Sequence, residues 1–122
     1  MINALPAASD IINASATATT TGIVTVPGGR VFTATVQLAA SISAAGTSVP
    51  TLTYVVPGGT SGAAPANGSI LARLTLTGLN LTTVNDSDST EILVYGGDNG
   101  CTLNFTAGAS GSSSIVINGF LI

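Results

Sequence analysis

A chain of 122 residues with 45% apolar side chains is long enough for one domain with its own core and too hydrophobic for a disordered polymer. Its charges are seven, Asp10, Arg30, Arg73, Asp86, Asp88, Glu91 and Asp98, for a formal net charge of −3, and it contains no His, Lys or Trp. Two cations cannot neutralise a run of phosphates or hold an anionic bilayer, and no side chain titrates near neutrality, so the reading excludes nucleic-acid and membrane partners, cofactors and enzymatic chemistry.

Residues 1–21 are of low complexity, and Ala14 to Thr21 is built only from Ala, Ser and Thr. They read as an extended N-terminal arm, with a β-domain over 22–122. Met1 to Leu5 has no basic start and no long apolar run, so it does not read as a secretory signal.

Beyond the arm the hydrophobic period is two. From Val31 to Ile42 the even positions are Phe32, Ala34, Val36, Leu38, Ala40 and Ile42, against Thr33, Thr35, Gln37 and Ser41 on the odd side. Such alternation marks half-buried strands. Thr51–Val56 repeats it with Leu52, Tyr54 and Val56. Residues 70–77 place Ile70, Ala72, Leu74 and Leu76 inward, and 101–106 place Cys101, Leu103 and Phe105 inward. Shorter or two-sided apolar runs lie at 23–26, 79–84, 91–95 and 114–122.

Turn chemistry separates these runs: Pro27-Gly28-Gly29, Ala44-Ala45-Gly46-Thr47, Pro57-Gly58-Gly59, Asn85-Asp86-Ser87-Asp88, Gly96 to Gly100 and Gly108 to Gly111. No stretch carries a helical stripe. The expectation is an all-β, eight-stranded jelly-roll-like β-sandwich, with an immunoglobulin-like sandwich as the second choice.

Few constellations could carry chemistry. Asp86, Asp88 and Glu91 are hard oxygen ligands of the kind that suits Ca²⁺, but they lack the Gly and the terminal Glu of a calcium loop. A solvated turn is the competing reading, and the sequence leaves cation binding open. Cys101 has no His to activate it and reads as a small core residue, and a single Cys excludes an intrachain disulfide. Arg30 and Arg73 read either as edge charges or as partners for a neighbour's carboxylate.

The ending is unusual. One face of 115–122 carries Ile115, Ile117 and Leu121, and the other carries Val116, Phe120 and Ile122. Leu93 and Tyr95 give the run at 91–95 the same double-sidedness. With so little surface charge, these five residues, Leu93, Tyr95, Val116, Phe120 and Ile122, are subunit-interface candidates. A closed homotrimer is the simple symmetric arrangement.

The arm, the short Thr/Val/Ala strands and the ending Leu103-Asn104-Phe105-Thr106, a Gly/Ser turn, then Ser114-Ile115-Val116-Ile117-Asn118-Gly119 resemble the decoration, or cement, proteins of tailed-phage capsids. The resemblance implies a non-enzymatic trimeric β-sandwich that clamps neighbouring capsomers on the outer surface of a virion assembled in the host cytoplasm. The major capsid protein is then the partner, and Ile2, Leu5, Ile11, Ile12, Arg30 and Arg73 are the capsid-contact candidates. The chain is more distantly similar to the tumour-necrosis-factor-like domains of spore-surface collagen-like proteins, but it lacks their Gly-x-y stalk. A glycan- or receptor-binding β-module is the alternative function.

Overall fold

The computed structural model describes residues 7–56 and 68–122. Within them the chain is all-β, with one 3₁₀ turn at Ala8–Asp10 and no α-helix. The ten strands are β1 (Ile11–Ala16), β2 (Thr20–Val26), β3 (Val31–Ile42), β4 (Gly46–Ser48), β5 (Thr51–Val55), β6 (Ile70–Arg73), β7 (Leu76–Gly78), β8 (Val84–Tyr95), β9 (Cys101–Thr106) and β10 (Ser112–Leu121). Sheet A has the order β1-β10-β3-β8 and sheet B the order β2-β9-β5-β6, and both are antiparallel. Strands β4 and β7 form a separate two-stranded ribbon.

The alternation seen in the sequence is the packing. All six even residues of β3 are buried, with Leu52 and Tyr54 of β5, Cys101, Leu103 and Phe105 of β9, and Ile115, Ile117 and Leu121 of β10. These side chains from sheets A and B form one core, which supplies most of the stabilisation at about 1.5–3 kcal/mol for each large apolar side chain.

Four expectations are corrected. The arm is not free where it is described: Ile11–Ala16 is an edge strand of sheet A, in unbroken antiparallel register with β10, and the boundary expected after residue 21 falls inside β2. Backbone pairing to β10 orders a segment whose side chains alone give little strand signal.

The Asn85 to Asp88 turn does not form either. Strand β8 runs straight through it, because its register with β3 continues from Tyr95 to Val84. Conversely, the run expected over 79–84 is mostly a tight turn. Leu79 and Thr82 make an isolated bridge, and Leu81 sits at φ 61° with 92% of its surface exposed.

The single strand expected over 70–77 is split into β6 and β7, which pair with different partners; with β1 and β4 gained and the 79–84 run lost, the count is ten strands in place of eight. A bulge in β6 opposes Ile70 to Thr53 rather than to an inward residue, so Ile70 faces solvent. Ile2, Leu5 and the Pro57-Gly58-Gly59 turn lie outside the described residues.

At one end of the sandwich the β2–β3 and β8–β9 turns pack back to back. The amide of Gly29 donates to the Gly97 carbonyl at 2.8 Å, and that of Gly96 to the Arg30 carbonyl at 2.9 Å. A Cβ on Gly28 would strike the Asp98 carbonyl, and one on Gly96 would strike that of Pro27. The glycines are there because two backbones touch.

The turn at Leu81 yields a test. A leucine in the left-handed region costs about 1–2 kcal/mol, and glycine relieves this at some expense in unfolded-chain entropy. Leu81→Gly is expected to raise the unfolding free energy by about 0.5 kcal/mol in urea titration, whereas Phe105→Ala lowers it by about 3–5 kcal/mol. A destabilised Leu81→Gly protein would contradict the assigned turn.

Candidate interaction face

Sheet A has one covered face and one open face, and the registers give the layout of the open one. Reading across the strands, Ile11, Phe120, Thr33 and Leu93 form one row. Asn13, Asn118, Thr35 and Glu91 form the next, and Ser15, Val116, Gln37 and Ser89 the third. Beyond the first row lie Tyr95, opposite Val31, and Ile122, whose amide donates to the Val31 carbonyl at 2.7 Å.

Four of the five interface candidates, Leu93, Tyr95, Phe120 and Ile122, therefore meet at one end of this face, all exposed. Ile11, expected to contact a capsid, belongs to the same group and is 49% exposed. Val116 shares the face but is set apart by the polar row. Ile12 points the other way and packs against the core, so its side chain is not presented to a partner.

Arg30 is held within the chain. Its guanidinium lies 3.0 Å from an Asp10 carboxylate oxygen, and its Nε donates to the main-chain oxygen of Ile122 at 3.1 Å. Arg30 thus ties the start of β1 to the end of β10. Arg73 ends β6 and is exposed.

The acidic residues do not converge. Asp86 and Asp88 share one side of β8 and Glu91 the other, because side chains alternate along a strand. Each aspartate accepts a hydrogen bond from the next amide, Ser87 at 2.8 Å and Ser89 at 2.9 Å. No group of three or more metal-ligating side chains occurs among the described residues.

The opposite end of the open face is hollow and hydroxyl-rich. An open cavity of about 660 Å³ is lined by Thr17, Ala39, Ala40, Ser41, Asn85, Asp86, Ser87 and Ser112 to Ser114. The sequence reading missed it, since its residues come from three strands and one connection, and only the register brings them together.

Cys101 and Tyr54 lie in the core. The Tyr54 hydroxyl donates to the Tyr95 carbonyl at 3.3 Å, and the Cys101 thiol contacts the same oxygen at 3.9 Å. Burial pushes the Tyr54 hydroxyl above its ordinary range, and Cys101 adds to the shift. Burial also raises the Cys101 thiol, partly offset by its hydrogen bond with Tyr54. Burial and the raised pKa favour the protonated thiol, packed as a small core side chain.

No family model, curated protein or solved structure matches the chain.

The buried Tyr54 and Cys101 set a pH dependence. Both hold their protons more tightly folded than unfolded, so their contribution is complete below their unfolded pKa values and is lost as pH rises past them. The urea midpoint should therefore fall between neutral and strongly alkaline solution. Tyr54→Phe with Cys101→Ala should flatten that fall, and an unchanged alkaline slope in the double variant would contradict the assignment.

Proposed function

We propose that this chain is a non-enzymatic structural protein that assembles as a homotrimer through the open face of sheet A and decorates a virion capsid. The observation that carries the reading is the cluster of Ile11, Leu93, Tyr95, Phe120 and Ile122, five exposed large apolar side chains on one end of one face. Scattered apolar residues are ordinary on a surface, whereas a contiguous group in a chain with seven charges is a site for association.

The strand order supports a jelly-roll reading. Without the β4–β7 ribbon, eight strands remain in two sheets of four, ordered β1-β10-β3-β8 and β2-β9-β5-β6. The first and last strands are neighbours, and consecutive strands cross between sheets except β5 and β6, which pair as a hairpin, as in two interleaved Greek keys. The likeness to phage decoration proteins supports the outer surface of a capsid as the location and the major capsid protein as the partner. The seven charges of the chain, four of them placed as one ion pair and two amide caps, support a role without catalysis.

The hydroxyl-lined cavity favours a second reading, a glycan- or receptor-binding module. Its lining includes no aromatic ring on which a sugar face could stack, so the assembly reading is preferred.

Light scattering on the purified chain at micromolar concentration is expected to give the mass of a trimer. Phe120→Ser with Leu93→Ser should shift the mass to that of a monomer while the thermal midpoint of the monomer changes little, since both side chains are exposed. A monodisperse wild-type monomer would overturn the face assignment.

A further inference from the structure

The two large sheets have four edge strands, β1, β8, β2 and β6. An edge presents unpaired amides and carbonyls that template another strand, and proteins disarm edges with bulges, charges or short lengths. Three of these edges carry such devices. On β8, Asp86 and Asp88 occupy the amides of Ser87 and Ser89. On β2, the register shifts between Thr20 and Val24, the irregularity that turns an edge away from pairing. Strand β6 has four residues, a bulge and Arg73.

Strand β1 has none of these devices. Its six residues, Ile11–Ala16, contain no charge, no Pro, no Gly and no bulge, and they pair with β10 without interruption. Its one flanking charge, Asp10, is neutralised by Arg30.

We propose that the edge of β1 pairs with β1 of a second copy of this chain, antiparallel, about a two-fold axis at Asn13. This inference is independent of the face-mediated trimer, because it uses an edge and not a face.

The strand complements itself. A two-fold axis normal to the sheet keeps the open faces of both copies on one side, so residues of equal facing must oppose each other. With Asn13 on the axis, Asn13 faces Asn13 of the partner subunit. Ile12 then meets Ala14 of the partner subunit on the core side, large against small. Ile11 meets Ser15 of the partner subunit on the open side. No like charges are opposed, and the product is one continuous eight-stranded sheet. A partner strand needs the same uncharged, unbulged edge, which β1 itself carries.

The test is covalent capture. Directly opposed residues have Cβ atoms about 4.5–5.5 Å apart, close enough for a disulfide after small adjustment. Asn13 is exposed, and the native Cys101 is buried and does not compete. Under mild oxidation, Asn13→Cys should run as a covalent dimer on a non-reducing gel, and Asn99→Cys, on an exposed turn, should not. Placing like charges on the axis with Asn13→Lys should weaken dimerisation about tenfold or more in sedimentation, and mixing it with Asn13→Asp should restore it.

Cross-linking of Asn13→Cys no faster than that of Asn99→Cys would overturn the proposal. So would loss of the cross-link in a Phe120→Ser, Leu93→Ser background, since the contact would then belong to the face assembly. Persistence of the cross-link in that background supports the edge contact even where the trimer fails.

Discussion

The structure depends on the double ladder of β3. This strand pairs with β10 over ten residues and with β8 over twelve, and it sends six consecutive even residues into the core. Because side chains alternate with a period of two, a slip of one residue on either ladder would turn an apolar row to water. The same registers set the open face. Phe120 and Leu93 stand in one row because both are in register with Thr33, so a polar residue of β3 places an apolar cluster built by its neighbours.

Where burial is one-sided, the fold is legible in the sequence. The alternation of β3, β5 and β9 predicts their buried faces, and the double-sided run 115–122 separates correctly into inward Ile115, Ile117 and Leu121 and outward Val116, Phe120 and Ile122. Legibility is lost where backbone pairing overrides side-chain chemistry. Asn85-Asp86-Ser87-Asp88 has every mark of a turn, yet it is held extended by β3 on one side and by its own carboxylates on the other. In β1, Asn, Ser and Ala give almost no periodic signal, and pairing with β10 decides the matter. The candidate face is legible as a list of residues but not as a group, because Ile11 joins it only through its register with Phe120.

The few charges are placed with consequence. Asp10 and Arg30 join the two ends of the described chain through the Ile122 main-chain oxygen, at a site only partly exposed. An exposed pair of this kind is worth at most about 1 kcal/mol, so its significance is positional: it seats the first residue of β1 against the end of β10. Asp86 and Asp88 stabilise by occlusion, since they satisfy amides that would otherwise recruit another strand. The middle of the open face has one charge, Glu91, and β1 has none.

That distribution bears on assembly geometry. A face contact that closes about a three-fold axis uses two different patches on each subunit and ends in a ring. A two-fold contact at β1 is self-complementary and uses the backbone edge of the strand, with only Ile11 common to the apolar cluster of the face. A subunit with only the first contact would form isolated trimers, and one with only the second would stop at dimers. The proposed pair of contacts would instead let one ring be joined to the next, as a coat spread over a larger particle requires. The devices on β8, β2 and β6 matter to this scheme as much as the openness of β1: among the edges of the two large sheets they leave β1 as the undefended one, and a two-fold contact there closes on itself and is not fibrous.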